Sequence, residues 1–241
     1  MSARDDIYSA PLTTVGSFQF DSDVVRVFPD MIARSVPGYA SILSVIEQLA
    51  SHYVRPGSRV WDLGCSLGAA TRLIRRRVDP SVTIHAVDNS PAMIQRLQQL
   101  LPAWEPGAPV LVTESDLRQV QVTEASLVVL NLTLQFLPPA ERDGVIAGIA
   151  AGMLPGGALL LSEKICFEDP RQQELMTKMH HDFKRAHGYT DLEIAQKRAA
   201  IENMLIPEPL QRHVQRLTDA GFSAVIPWFQ CFNFASIIAV R

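Results

Sequence analysis

The chain has 241 residues, 47% of them hydrophobic and 20% charged, with 22 Lys and Arg against 25 Asp and Glu for a net charge of −3. That composition belongs to ordinary globular proteins and excludes the disordered and collagen-like classes. The lack of a basic excess disfavours a domain whose main task is gripping a nucleic-acid backbone.

Residues 1–36 mix Pro, Asp and aromatics (Phe18, Phe20, Phe28) without a clean period, which predicts an extended N-terminal arm able to act as a lid. The opening Met1 to Asp6 carries acids where a signal peptide carries an apolar run, and no stretch reaches the roughly 20 apolar residues of a membrane span. Neither export nor membrane insertion is expected. Residues 37–241 are expected to form one α/β domain. Ile42, Leu43, Val45, Ile46 and Leu49 predict a helix from Gly38 to about Val54. A strand at Val60–Leu63, a helix over Leu67–Val78 and a strand at Val82–Val87 come next. Ser90 is placed to cap a helix with Pro91 at its first position and Met93, Ile94, Leu97, Leu100 and Leu101 on one face.

Val110–Val112 and Leu127–Leu130 are short and apolar, which predicts central parallel strands buried on both faces. A helix from about Pro139 presents Val145, Ile146, Ile149 and Met153, and Pro155-Gly156-Gly157 turns the chain into a fifth strand, Ala158–Ser162. Residues 168–204 then break the rhythm with two helix-like stretches and no strand between them, a helical insert. Residues 163–198 carry seven Lys or Arg and seven Asp or Glu, so most of those charges are read as solvated helix faces. A further helix over about 208–220 and two strands, 223–229 and 232–240, complete a doubly wound, mostly parallel sheet with an antiparallel pair at one edge.

The run Gly64-Cys65-Ser66-Leu67-Gly68 lies between a strand and a helix, where backbone approaches a ligand and helix N–H groups are free to meet it. The same letters spell the G-x-S-x-G elbow of hydrolases, with Ser66 as nucleophile, but an elbow needs several strands and an oxyanion loop before it. Here the loop follows the first recognisable strand. A nucleotide-type site instead needs an acid about 20 residues beyond the loop to hold the ribose hydroxyls, and Asp88 stands there. Ser66 in place of the second glycine argues against a pyrophosphate on the backbone and suits an adenosyl ligand without phosphates. Asp116 follows the third strand and can accept from an adenine amino group, and Asn131 ends the fourth; each taken singly could be a cap or turn residue.

At Asp62 to Gly68, Asp88-Asn89-Ser90-Pro91-Ala92-Met93 and Leu154-Pro155-Gly156-Gly157 the sequence resembles the class I S-adenosylmethionine-dependent methyltransferases. More narrowly it resembles the bacterial carboxy-S-adenosyl-L-methionine synthases, nearly end to end. The specific stretches are Val27 to Ile32, Arg34 to Tyr39, Asp62 to Ala70, Asn131 with Leu134 to Leu137, His180 to Arg185, Gln196-Lys197-Arg198 and Trp228 to Phe234. The resemblance implies that Tyr39, Gly64, Cys65, Ser66, Asp88, Asn89, Asp116, Leu117 and Asn131 hold S-adenosyl-L-methionine, and that Arg198 grips the carboxylate of the product. The implied reaction takes prephenate and S-adenosyl-L-methionine to carboxy-S-adenosyl-L-methionine and phenylpyruvate. A separate enzyme then uses the product on the wobble uridine of tRNA, so this chain is expected to need no direct nucleic-acid contact. A homodimer is also implied, with the insert helices as one place for its interface.

An arginine fork meets a carboxylate bidentately, which suits the role given to Arg198. Lys164, His180, His181, Lys184 and Arg185 are candidate partners for the prephenate carboxylates. His180, His181 and His187 also raise a metal, but neighbouring histidines on a helix point apart and no carboxylate completes a site, so none is expected. Cys65, Cys166 and Cys231 are odd in number and match no zinc spacing, which reads as free thiols in a reducing, cytoplasmic compartment. Cys65 is read as a packing residue. The rival functions are a conventional methyltransferase acting on a small molecule or tRNA, for which Arg198 has no evident use, and a carrier that binds the ligand without chemistry.

Overall fold

The computed structural model of the chain describes residues 3–241. Helices α1 (Ser22–Ser35) and α2 (Tyr39–Tyr53) precede β1 (Arg59–Leu63), followed by α3 (Ala69–Arg75), β2 (Thr83–Asp88), α4 (Pro91–Leu100) and β3 (Val110–Glu114). Next come β4 (Ala125–Asn131), α5 (Pro139–Gly152), β5 (Met153–Cys166) and the insert helices α6 (Pro170–Ala186) and α7 (Asp191–Ile201). The chain closes with β6 (Glu208–Pro209), α8 (Leu210–Asp219), β7 (Ala224–Cys231) and β8 (Phe234–Val240). Among the described residues no helix is long and apolar enough to cross a membrane.

The sheet runs β3-β2-β1-β4-β5-β8-β7, with the short β6 paired to the end of β5. β1 pairs in parallel with both β2 and β4, so the strand order reverses between β1 and β4, the place where open α/β sheets leave a ligand crevice. β8 runs antiparallel to both β5 and β7. Alternate side chains along each strand feed two cores. Val60, Ile84, Leu127, Val129 and Leu160 meet Ile42, Ile46 and Leu49 of α2 and Ile74 of α3. Leu63, Val128, Leu130, Leu159 and Leu161 meet Ile146 and Ile149 of α5 and Leu217 of α8.

Two expectations need correction. Val110–Val112 is not a central strand: β3 is the sheet edge, with Leu111 51% exposed. Short apolar runs do not distinguish an edge from a centre, and the order was decided by the crossovers. Residues 22–35 are not extended arm but α1, capped by the Asp21 carboxylate on the N–H groups of Asp23 and Val24. Pro29 interrupts its pattern in sequence, yet Val24, Val27 and Met31 are buried against Phe18, Met93 and Ala200. The remaining arm is tied down as well. Gln196 of α7 donates to the carbonyls of Tyr8 and Ala10 and accepts from the N–H of Leu12, and Phe18 N–H donates to Ala200 O. Around the end of α3, Arg72, Arg76 and Arg77 face outward, Arg76 and Arg77 sharing Glu47 and Arg72 meeting Glu105, while Arg75 turns inward and donates its Nε to Ala108 O.

Candidate functional site

The loop after β1 is shaped by its own backbone. Gly64 and Cys65 both donate their N–H groups to Val87 O at 2.8 and 2.9 Å, and Ser66 N–H donates to Asp88 Oδ2 at 2.9 Å. Gly64 sits at φ 82° and Gly68 at φ 75°, the left-handed region that favours glycine. A Cβ on Gly64 would enter the side chain of Thr133, so this loop touches the loop after β4. Ser66 also takes a left-handed φ, 48°, and among the described residues no histidine hydrogen-bonds its side chain, as a hydrolase elbow requires. Asp62 lies beneath the loop, accepting from Thr71 N–H at 3.1 Å and Thr71 Oγ1 at 2.5 Å; burial pushes its carboxyl up to about 6. The buried thiol of Cys65 is pushed upward by desolvation and by the charges of Asp62 and Asp88, so it stays protonated.

The carboxyl ends of β1, β2 and β4 open on a cavity of about 680 Å³. Tyr39, Gly64, Cys65, Ser66, Asp88, Asn89, Asp116, Leu117, Asn131 and Arg198 all line it. Asp88, raised by burial, splits its oxygens between Ser66 N–H and Ser90 N–H, which fixes the carboxylate at the end of β2. Asn131 presents a buried Oδ1 that has no partner among the described residues, an acceptor free for a ligand. Tyr39, whose hydroxyl is raised by burial and by Asp62, is a donor at neutral pH. Asp116 is less free than its sequence position implies. Its Oδ1 accepts from Arg118 N–H and Nε and its Oδ2 from Arg118 Nη2, so the carboxylate is already occupied by the chain's own donors. The edge-to-face rings of Phe18, Phe20, Phe28 and Phe136 close the cavity on the side of the arm.

The opposite wall comes from the end of β5, from α6 and from α7, and it is cationic. Lys164, His180, His181, Lys184, Lys197 and Arg198 line it. His180 Nε2 lies 2.8 Å from Ser35 O, and burial with the charge of Lys184 pushes the imidazole down to about 3, so it is neutral. Lys197 reaches Ser35 Oγ at 3.2 Å and Asp5 Oδ2 at 3.7 Å, and burial pushes it down to about 8 against the pull of Asp5. Lys184 is pushed down to about 7 by burial and by Lys197 and Lys164. Arg198 stands at the rim, 64% exposed, with Nε 3.7 Å from Glu202 Oε2. Arg185, grouped with these in sequence, faces outward on Asp182 and Asp191 and is not in the cavity lining. His187 hydrogen-bonds Phe183 O instead. Among the described residues no three His, Cys, Asp or Glu side chains converge as a metal site would need.

Two residues of this region carry no signal in the motifs. Asp5, 3% exposed, accepts from the Tyr189 hydroxyl at 2.5 Å and is the acid nearest Lys197. Glu163, 2% exposed, accepts from Leu134 and Gln135 N–H, both at 2.9 Å, and pins the loop after β4; burial pushes it up to about 8 against those two amides. The strand-end rule applied to the fifth strand as expected from sequence, which ends at Ser162, would have found Glu163 and Lys164 together.

A parallel sheet reversing at β1 and β4, a glycine turn after β1 and an acid at the end of β2 define a class I S-adenosylmethionine-dependent methyltransferase fold. A family model for a methyltransferase domain matches residues 60–157. An O-methyltransferase family protein from Burkholderia thailandensis aligns with a TM-score of 0.64 at 20% identity, over 92% of this chain and 60% of that one. The magnesium protoporphyrin IX methyltransferase of Synechocystis with bound S-adenosylmethionine gives a TM-score of 0.57 at 18% identity, over 99% and 94% of the two chains. At the sequence level the likeness is much narrower. The carboxy-S-adenosyl-L-methionine synthase of Trichlorobacter lovleyi is 55% identical over 240 residues, 98% of each chain. Its namesake in Escherichia coli K12 is 51% identical over 242 residues, covering 100% of this chain and 98% of the relative. The chain belongs to the carboxy-S-adenosyl-L-methionine synthase family and is an enzyme of the transferase class.

Proposed function

We propose that the chain converts S-adenosyl-L-methionine and prephenate to carboxy-S-adenosyl-L-methionine and phenylpyruvate, the product serving wobble-uridine modification of tRNA by another enzyme. The observation that carries this reading is a single cavity lined by the strand-end set and also by Arg198. In this reading Tyr39, Gly64, Cys65, Ser66, Asp88, Asn89, Leu117 and Asn131 hold the adenosyl ligand, with Asp116 sharing its carboxylate. The fit is favourable at two atoms. The orphaned Asn131 Oδ1 awaits a donor, and the absent Cβ of Gly64 keeps the loop closed on Thr133 after β4.

The ligand supplies a sulfonium methyl made weakly acidic by the positive sulfur. Prephenate dianion divides into phenylpyruvate, carbon dioxide and hydroxide; hydroxide takes one methyl proton to form water, and the carbon so freed bonds to carbon dioxide, leaving a new carboxylate. No side chain forms a covalent bond in this scheme. The chain's part is to orient the reactants, exclude water and set counter-charge beside the new carboxylate, where Arg198 acts. Dryness asks for more cover than one subunit gives at the rim. Exposed Leu175 and Met179 on α6 and Leu192 on α7 support a homodimer that covers the insert. A cytoplasmic location is part of the same reading, consistent with three free thiols.

Purified protein incubated with both substrates should yield phenylpyruvate and a sulfonium heavier than S-adenosyl-L-methionine by the mass of carbon dioxide. Mass spectrometry of the ligand that co-purifies checks the same point. A methylated acceptor with no such species would favour the conventional methyltransferase, and no turnover at all would favour the carrier.

A further inference from the structure

The two ammonium groups of Lys164 and Lys184 have no hydrogen bond and no ion pair among the described residues, although both side chains are partly buried and line the cavity. Every other charge facing them is accounted for. Lys197 has Asp5, Arg198 has Glu202, and Glu163 turns its oxygens to the amides of Leu134 and Gln135. His180 is spent on Ser35 O, and His181, held low by burial and by Lys184 and Arg198, adds no negative charge. Beside this pair Asn233 lines the same cavity with a buried Oδ1 that has no partner among the described residues, an acceptor for a hydroxyl and not for a carboxylate. A folded protein does not retain two unpaired, partly desolvated amines without cost; burial lowers both, with Arg198 adding to the effect on Lys164 and with Lys197 and Lys164 adding to the effect on Lys184.

S-adenosyl-L-methionine cannot balance them. It carries a sulfonium, an ammonium and one carboxylate, so its arrival adds positive charge to the cavity. A monocarboxylate would leave one amine unanswered. We propose that Lys164 and Lys184, with His181 and Asn233 beside them, form a subsite for a small organic dianion, the second substrate, adjoining the place where Arg198 meets the new carboxylate. The inference rests on the two-substrate reading above and says which side chains hold the co-substrate. Lys184, pushed down to about 7, is only partly charged in the free cavity at neutral pH, so binding of the dianion takes up a proton. Affinity for the dianion therefore falls as pH rises from 6.5 to 8.5.

The test uses the full chain saturated with S-adenosyl-L-homocysteine and titrated calorimetrically with prephenate, in wild type, Lys164→Gln, Lys184→Gln and the outward-facing control Lys178→Gln. The subsite requires at least tenfold weaker prephenate binding in each of the first two, unchanged binding in the control, and S-adenosyl-L-homocysteine affinity within twofold throughout. Proton uptake, measured in two buffers of different ionisation enthalpy, should shrink in Lys184→Gln. Prephenate affinity within twofold of wild type in both variants overturns the subsite, as does an equal loss for S-adenosyl-L-homocysteine, which would give the amines to the methionine carboxylate. Normal turnover with undiminished variants sinks the subsite and spares the reaction. Lysine-dependent prephenate binding without turnover spares the subsite and sinks the reaction.

Discussion

On the sheet side of the cavity, the loop after β1 is fixed by backbone: two N–H groups on Val87 O, one on Asp88, and glycines at positive φ. On the insert side, α6 and α7 present charged side chains, of which Lys164 and Lys184 are unpaired among the described residues and Arg198 is held only loosely. The loop of the first wall is finished before a ligand arrives, with Asn131 Oδ1 beside it still without a partner among the described residues; the second wall is electrostatically incomplete. A ligand portion common to many enzymes of this fold belongs against the finished wall. In the proposed reading, the portion that distinguishes this reaction lies against the wall that is still short of negative charge.

The largest effect should come from cutting the tie between the two walls. Arg142, fully buried, donates to Gln135 O and Leu137 O in the loop after β4, to Ile206 O in the return from the insert, and to Glu208. Arg142→Met strands the buried carbonyls of Gln135, Leu137 and Ile206 and leaves Glu208 to Arg216, so urea unfolding should show a loss of about 3–5 kcal/mol. Next is Arg198→Ala. Losing a charged hydrogen-bonding partner of the carboxylate should reduce the preference for carboxy-S-adenosyl-L-methionine over S-adenosyl-L-methionine by about 1.5–3 kcal/mol, roughly ten- to a hundredfold. Calorimetry with both ligands reads this, and equal retention of the two would refute the assignment.

Gly64→Ala sharpens the comparison from the sheet side. It adds about 1–2 kcal/mol of left-handed strain and drives the loop from Thr133, so S-adenosyl-L-homocysteine should bind at least tenfold more weakly while the variant remains folded. The smallest effect has the opposite sign. Lys184→Met removes a partly buried, unpaired amine, so it should raise thermal stability by about 1 kcal/mol while losing function. Because folding lowers the Lys184 pKa from its ordinary 10.5 to about 7, the unfolded chain binds more protons in that window. Wild-type stability should therefore climb between pH 7 and 10, and the climb should be shallower in the variant. Identical slopes by denaturant titration would contradict the burial of this amine.

The βα alternation, the glycine loop and Asp88 were legible in sequence because each follows from local rules. Apolar runs mark strands, glycine marks forced turns, and an acid one strand further on marks the ribose side of a crevice. The insert was legible as an interruption of that rhythm, but its chemistry was not. With seven positive and seven negative residues it looks balanced along the chain, and only folding sends Arg185, Asp182 and Asp191 outward while turning Lys184 inward.

The chain's own order thus determined the doubly wound fold, the turn after β1 and the family to which it belongs, since these depend on periodicity and on neighbours a few residues apart. Tertiary structure decided that β3 lies at the edge, that α1 forms despite Pro29, and that Asp5 answers Lys197 from 192 positions away in sequence. It also decided which lysines are left without an acid. Charge balance in a cavity depends on which side chains share a low-dielectric space, and that is settled by packing between distant segments.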